Sequence, residues 1–124
     1  RCTLNISATE GIKLHANPTE IETALSSLLM NSLEALPQGG EIRLNSSILN
    51  LREVEVVVVD NGPGIPMDVF PHIFEPFYTT KKLGTGLGLP IVKRVVEEHG
   101  GYVLAESQEG RGTTVAMRLP YIRS

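Results

Sequence analysis

Apolar residues recur at helical spacing in two segments of this chain. In the first, apolar side chains fall on one stripe at positions 21, 24, 25, 28, 29, 33 and 36, with Pro18 before them and Pro37 after them. The second stripe covers residues 89 to 99 and ends at Gly100-Gly101. Spacings of three and four residues place side chains on one face of a helix, and proline and glycine mark its ends. The pattern therefore predicts two amphipathic helices.

Three pairs of segments have the apolar patterns of strands. They are CTLNIS with GIKLHAN, EIRLNSSILN with REVEVVVVD, and YVLAES with TTVAMRLP. We expect a hairpin at each end of the chain and a central pair joined near Asn50. The four valines at residues 56 to 59 predict a strand that is buried on both faces.

Strands mixed with helices and hairpins favour an α+β fold over a doubly wound parallel sheet. We predict a two-layer α/β sandwich with a mixed, mostly antiparallel sheet and about three helices on one face. The third helical segment is expected as a single turn around MDVFPHIF.

Composition narrows the class of protein without identifying it. A chain of 124 residues fits one domain, 1–124. Its formal charge of −3 gives no indication of a surface that binds nucleic acids or anionic membranes in general. The single cysteine, Cys2, excludes an internal disulfide. No apolar run approaches the roughly 20 residues that span a bilayer. We expect a soluble domain cut from a longer protein, because the chain starts on a strand without an initiator methionine.

The central apolar strand ends in a carboxylate. Asp60 directly follows the four valines and precedes NGPGIP. An ionised carboxylate at such a place is costly unless it has a partner, and this acceptor suits an exocyclic amine such as that of adenine. Gly62 and Gly64 would let a flat ring approach the main chain, with Ile65 as an apolar wall. Asp-Asn-Gly is also a common turn sequence, so these residues alone leave both interpretations open.

The start of the second helix is a candidate anion site. Gly84, Gly86 and Gly88 lead directly into it. Free backbone N–H groups and the helix dipole at such a place favour an anion such as phosphate. A plain loop at the start of a helix is the alternative interpretation.

Asn31 and a lysine pair are candidates for metal and phosphate contacts. Asn31 lies at the edge of the first apolar stripe, where its amide oxygen could bind Mg²⁺ or face water. Lys81 and Lys82 lie in a segment rich in Gly, Pro and Thr, residues 61–87, that is long enough to be a functional lid. A solvated pair of surface lysines is the alternative.

Taken in order, these segments resemble the motifs of one family, the catalytic ATP-binding domain of bacterial sensor histidine kinases. LLMNSLEAL resembles the asparagine box, VVDNGPGIP the first glycine box, IFEPFYTTK the lid motif, and GTGLGLPIVKRVVEEHGG the second glycine box. GRGTTVAMRLP is similar to the last strand of that domain. The resemblance covers nearly the whole chain, and FEPFYTTKK is closest to kinases of the nitrogen-regulatory type.

The resemblance implies a site for ATP and Mg²⁺. Asp60 would bind the adenine amine with the help of a water near Thr113, and Asn31 would coordinate the Mg²⁺ that bridges the phosphates. The glycines before the second helix would hold the phosphates, and Lys81 would reach them from the lid. The residues implied to bind ATP are Asn31, Asp60, Gly62, Gly64, Ile65, Thr79, Thr80, Lys81, Gly84, Thr85, Gly86, Leu87, Gly88 and Thr113, and the metal ligand among them is Asn31.

Two departures from the family pattern bear on the reaction. Many of these kinases have a second Asn one helical turn before the magnesium-binding one, and a basic residue three positions after it; here these positions are Ser27 and Glu34. In gyrase-type topoisomerases, mismatch-repair ATPases and a large chaperone of the same fold, a glutamate at the position of Ser27 activates water. A hydroxyl lacks that basicity near neutral pH. The substitution therefore favours transfer of the γ-phosphoryl group over hydrolysis.

The resemblance implies that the acceptor histidine lies on a dimerisation domain absent from this chain. No catalytic residue is therefore assigned, His99 is expected to cap the second helix, and the chain is expected not to autophosphorylate alone. The implied partners are the protein's own dimerisation and phosphoacceptor helices and a response regulator receiver domain, without nucleic acid or direct membrane contact. We expect a cytoplasmic, monomeric domain whose parent protein is free or membrane-anchored.

Two alternatives belong to other functional classes. One is a kinase-like nucleotide-binding module that only docks protein partners, in the manner of anti-sigma factors. The other is an ATPase of the wider family.

Overall fold

The computed structural model describes residues 2–7, 12–13, 18–36, 39–48, 53–75, 88–120 and 122–123. Within these residues the strands are β1 (Cys2–Ser7), β2 (Ile12–Lys13), β3 (Gly40–Ile48), β4 (Glu53–Asp60), β5 (Tyr102–Gln108), β6 (Gly112–Pro120) and β7 (Ile122–Arg123). The helices are α1 (Pro18–Ala35) and α2 (Gly88–Glu98), and a 3₁₀ turn covers Phe70–His72. Both predicted helices are present, and the third helical segment is this single 3₁₀ turn. The predicted turn near Asn50 lies outside the described residues.

Five strands form the main sheet in the order β1-β3-β4-β6-β5. β1 runs parallel to β3, and the other neighbours, β3 with β4, β4 with β6 and β5 with β6, are antiparallel. The predicted mixed, mostly antiparallel sheet is therefore confirmed, as are the central strand pair and the C-terminal hairpin.

The hairpin predicted at the N-terminal end is wrong. β1 pairs with β3 instead of with β2, and β2 pairs antiparallel with β7. Parallel neighbours need a long crossover connection, and α1, which lies between β1 and β3 in the sequence, provides it. The alternation of CTLNIS predicted a strand but carried no information about its partner.

Both helices share one core with the sheet. α1 packs against α2 and β4, and α2 also contacts β5 and β6. The buried apolar cluster draws on both layers; its members are Ala24, Leu28, Leu36, Ile42, Val54, Val58, Leu89, Val92, Val95, Val96, Val115, Met117 and Leu119. Removing these side chains from water is the main favourable term for this two-layer arrangement.

β4 alternates between its two faces despite its run of valines. Val54 and Val58 are buried in the core, whereas Val57 and Val59 are only half-buried. The strand is therefore not buried on both faces as predicted, because helices cover an antiparallel sheet of this kind on one side only. The alternation also places Asp60 in phase with Val58, on the helix-covered face.

Helix α2 ends just before Gly100-Gly101, as predicted. Gly100 has a φ of 83°, and the N–H groups of Gly100 and Gly101 donate to the carbonyls of Glu97 and Val96 at 3.0 and 2.9 Å. Such bonds satisfy carbonyls that a helix end leaves without intrahelical partners. His99 Nδ1 lies 2.7 Å from the carbonyl oxygen of Val95, which confirms its expected role at the helix end.

Candidate nucleotide site

Three polar side chains lie side by side across the helix-covered face of the sheet. In the strand register Asp60 on β4 faces Thr113 on β6, and Thr113 faces Ser107 on β5. We call these three residues the Asp60 row. The register also places the next row toward the core, Val58 and Val115, directly beneath. The Asp60 row therefore forms the polar end of the otherwise apolar layer between the sheet and the helices.

Asp60 is the most deeply buried acid among the described residues, with 3% of its surface exposed. Its Oδ1 accepts a hydrogen bond of 3.0 Å from the N–H of Gly62, which bends the chain back at the strand end. No described lysine, arginine or histidine forms an ion pair with it. Burying a carboxylate without a cation costs several kcal/mol, so the group is suited to a donor supplied by a ligand.

Residues 61–66, the loop after β4, fold onto the β5–β6 turn, residues 108–112. The carbonyl of Pro63 accepts from the N–H of Gly110 at 2.7 Å, and the N–H of Ile65 donates to Ser107 Oγ at 2.7 Å. These two bonds fix the loop beside the Asp60 row.

Gly64 is required for this close approach. Its φ is +76°, and a Cβ there would overlap the carbonyl oxygen of Gln108. Gly112 is constrained in the same way, because a Cβ would overlap the carbonyl oxygen of Asp60. The open side of Gly64 thus faces the β5–β6 turn, and packing of the loop already explains this glycine without a ligand.

Asn61, which was not singled out from the sequence, extends the pairing of β3 with β4. Its side-chain Oδ1 accepts from the N–H of Glu41 at 2.8 Å, and its backbone N–H donates to the carbonyl of Glu41 at 3.2 Å. The Asp-Asn-Gly sequence is therefore both a turn and a candidate site: Asp60 faces the helix layer, while Asn61 secures the turn to the sheet.

Ser107 is the second residue that sequence reasoning missed. It is half-buried, and its Oγ lies 3.0 Å from Thr113 Oγ1 and 3.1 Å from the carbonyl oxygen of Gly112. The strict alternation of half-buried and exposed residues in β5 puts it on the helix-covered face. The polarity of YVLAES does not show this alternation, because the exposed Tyr102 and Leu104 are apolar like the half-buried Val103 and Ala105. The pairing of Ser107 with Thr113 depends on the β5–β6 register.

Asn31 lies on the flank of α1. It is half-buried, between the buried Leu28 and Ser32 on one side and the exposed Glu34 on the other. Its amide oxygen is a hard ligand of the kind that Mg²⁺ accepts. The described residues hold no cluster of three or more His, Cys, Asp or Glu side chains fit for a metal. A magnesium ion here would therefore depend on phosphate oxygens and water as well as on Asn31.

Several predicted ATP contacts fall outside the described residues. These are Thr79, Thr80, Lys81, Gly84, Thr85, Gly86 and Leu87. Gly88 is the first residue of α2. The described part of the proposed site thus consists of the Asp60 row, the loop 61–66 and the flank of α1.

No helix in the described part of the chain has the length and apolar character needed to cross a membrane.

The chain is similar in sequence and in fold to known histidine kinases. Residues 16–123 match the family described as histidine kinase-, DNA gyrase B-, and HSP90-like ATPase. The chain is 40% identical over 108 residues to the sensor histidine kinase ZraS of Escherichia coli (strain K12), an alignment that covers 87% of this chain and 23% of ZraS.

Two solved structures have the same fold over nearly the whole chain. The mycobacterial sensor histidine kinase MprB has a TM-score of 0.89 at 27% identity, covering 99% of this chain and 86% of that one. Full-length ShkA in complex with AMPPNP has a TM-score of 0.86 at 26% identity, covering 99% of this chain and 26% of that one. The chain thus belongs to the family of histidine kinase-, DNA gyrase B- and HSP90-like ATPases, and its resemblance to the catalytic ATP-binding domain of sensor histidine kinases is confirmed.

Proposed function

We propose that this chain binds ATP with Mg²⁺ and presents the γ-phosphoryl group to a histidine on a separate dimerisation domain. The observation that carries the proposal is the burial of Asp60 without a cation among the described residues, beside the hydroxyl of Thr113. The AMPPNP complex of ShkA supports a nucleotide as the ligand, because AMPPNP is an ATP analogue and the two chains share this fold.

Asp60 is proposed to recognise the adenine base of ATP. One carboxylate oxygen is engaged by the N–H of Gly62, and an ionised carboxylate accepts further hydrogen bonds at the other. The exocyclic amine of adenine is a donor of the required kind, and a water near Thr113 would complete the contact. Gly62, Gly64 and Ile65 belong to the loop that borders this end of the sheet.

Asn31 is proposed as the protein ligand of Mg²⁺, which neutralises phosphate charge when it is bound. The lid residues Thr79, Thr80 and Lys81, with the glycine turn that leads to Gly88, are proposed to hold the triphosphate. Free N–H groups at the first turn of α2 suit this role.

Transfer is favoured over hydrolysis because α1 has no carboxylate at the position where the ATPases of this fold carry a water-activating glutamate. Ser27, which is half-buried, stands at that position. The two described histidines are engaged elsewhere: His72 Nδ1 lies 2.6 Å from Glu75 Oε2, and His99 contacts the end of α2. The acceptor is therefore proposed to lie on the protein's own dimerisation helices, and the onward partner is a response regulator. We propose a cytoplasmic, monomeric domain.

Titration calorimetry with ATP and Mg²⁺ tests the role of Asp60. Asp60→Asn keeps an oxygen for the Gly62 N–H but removes the charge that receives the amine. A hydrogen bond to a charged group is worth about 1.5–3 kcal/mol, so we expect Kd to rise about 10- to 150-fold. Asp68→Asn, at an exposed position in the same segment, is the matched control and should bind like the wild type. Equal, strong binding by Asp60→Asn would remove this residue from the adenine site.

Magnesium titrations at fixed ATP test the role of Asn31. Asn31→Ala should raise the Mg²⁺ concentration needed for half-maximal binding, whereas Asn45→Ala, exposed on β3, should not. An unchanged magnesium dependence would exclude Asn31 as the ligand.

Phosphoryl transfer is tested by adding a separately expressed helical domain that bears the acceptor histidine. Labelled ATP should yield acid-labile phosphohistidine on that domain only when the wild-type chain is present, and not with Asp60→Asn. ATP binding without labelling would favour the docking module, and rapid phosphate release without labelling would favour an ATPase.

A further inference from the structure

Ser107 is the most densely connected hydroxyl of the described site, and none of the sequence motifs includes it. Its Oγ contacts the N–H of Ile65 at 2.7 Å, the carbonyl oxygen of Gly112 at 3.1 Å and Thr113 Oγ1 at 3.0 Å. The residue therefore joins the loop 61–66, the β5–β6 turn and the neighbour of Asp60.

The proton count around Ser107 fixes the direction of each bond. The N–H of Ile65 can only donate, and the carbonyl of Gly112 can only accept. Ser107 has one proton and two lone pairs, so it satisfies all three contacts in a single way. Its proton goes to Gly112, and its lone pairs accept from Ile65 and from the hydroxyl of Thr113.

This arrangement makes Thr113 an acceptor toward the site. Because its own proton points to Ser107, its remaining lone pairs are directed away from Ser107, beside Asp60 in the row. A ligand group or water that meets the row then encounters two acceptors, a carboxylate and a hydroxyl oxygen. Such a pair favours a donor, the 6-amine of adenine, and disfavours the 6-oxo group of guanine or hypoxanthine.

We infer that Ser107 is a positioning residue that sets purine specificity, by orienting the hydroxyl of Thr113 so that the Asp60 row presents acceptors only. The inference rests on the proposed nucleotide site and deepens it. Without the Ser107 hydroxyl, the proton of Thr113 is released and can turn toward the ligand, where it donates to a 6-oxo group.

The test compares ATP with inosine triphosphate, which carries a 6-oxo group and an N1–H where ATP has the 6-amine and an unprotonated N1. Calorimetry gives the ratio of the two Kd values for the wild type and for Ser107→Ala. We expect the preference for ATP to fall about fivefold in Ser107→Ala, the size of one ordinary hydrogen bond. Ser107→Thr retains a hydroxyl and should restore the preference. Ser47→Ala, at an exposed position on β3, should leave it unchanged.

A merely structural role would change thermal stability and weaken both nucleotides equally, leaving the ratio at the wild-type value; that result would overturn the inference. Thr113→Val tests the same hydroxyl pair from the other side, with an isosteric side chain, if Ser107→Ala does not fold. It should lower the preference as well, and an unchanged ratio there would also overturn the inference. Failure of the wild type to bind ATP would instead contradict the proposed function.

Discussion

Strands β4, β6 and β5 carry a polar row on each face of the sheet. Each row contains one carboxylate, and the two rows differ in how the charge of that carboxylate is balanced. On the helix-covered face lies the Asp60 row. On the open face Glu55 faces Arg118, which faces Tyr102; we call these three residues the Glu55 row. Both rows use the same three strands and the same register, so their differences come from their side chains and from what covers them.

The charge of Glu55 is balanced within its own row. Its Oε2 lies 2.8 Å from Arg118 Nε, the guanidinium donates to the hydroxyl of Tyr102 at 3.2 Å, and its carbon lies 5.7 Å from the centre of the tyrosine ring. The hydrogen bond with Tyr102, followed by that with Glu55, raises the pKa of Arg118 above its ordinary value. The cation therefore persists at every pH at which the protein would be studied.

The Asp60 row has no such balance among the described residues, although Asp60 is far more buried than Glu55, whose side chain is 18% exposed. A carboxylate that serves stability is paired where it lies. A buried carboxylate that is bonded only to backbone N–H groups lowers the stability of the fold. This cost is explained if a ligand completes the contacts of the carboxylate. The comparison therefore separates a polar row whose charges balance each other from one that we propose binds a ligand.

The largest expected effect comes from separating the loop 61–66 from the Asp60 row. Gly64→Ala adds a Cβ that overlaps the carbonyl oxygen of Gln108, at a positive φ. Overpacking and left-handed strain each cost about 1–3 kcal/mol, so we expect the free energy of unfolding to fall by about 3 kcal/mol or more. Urea denaturation measures this loss, and nucleotide affinity should fall with it.

Gly110→Ala is the matched control for Gly64→Ala. Gly110 has nearly the same conformation, with a φ of +82°, but a Cβ there meets nothing within 4 Å. Only the strain of the left-handed region applies, about 1–2 kcal/mol. Equal losses for the two variants would mean that the contact between the loop and the β5–β6 turn does not hold the site in place.

A smaller effect is expected from the bond that secures the turn to the sheet. Asn61→Ala removes the acceptor of the Glu41 N–H while leaving the side chain of Asp60 intact. Loss of one such hydrogen bond should lower the free energy of unfolding by about 1 kcal/mol, as measured by urea denaturation. Asn45→Ala, on an exposed side chain of β3, is the control. A loss equal to that of the control would show that the Asn61 bond contributes nothing.

Periodicity predicted the parts of the fold that depend on local sequence. The stripe from Ile21 to Leu36 specified α1, and the apolar run before Asp60 specified β4, because burial on one face of an element repeats with its geometry. The motif beginning at Asp60 also marked the turn at which the structure buries this carboxylate. These features lie within segments of about 20 residues or fewer, so a single pattern contains them.

The parts that the sequence did not reveal depend on residues distant along the chain. Ile65 and Ser107 are 42 positions apart, and no local pattern relates them. The partner of β1 was mispredicted for the same reason, since pairing with β3 follows from the crossover through α1. Gly64 was interpreted as room for a ring, whereas the structure places the β5–β6 turn against it.

The smallest effect should come from the open face. Glu55→Gln keeps the shape of the side chain but removes the charge that pairs with Arg118, which is 27% exposed. Partly exposed ion pairs contribute little and are screened by salt, so the loss in Tm should be smaller than for Asn61→Ala and should shrink further in 1 M salt. Binding of ATP should be unchanged, because the row lies on the face away from Asp60. If Glu55→Gln weakened ATP binding as much as Asp60→Asn does, a negative charge on either face of these strands would support ATP binding. The distinction between the two rows would then fail.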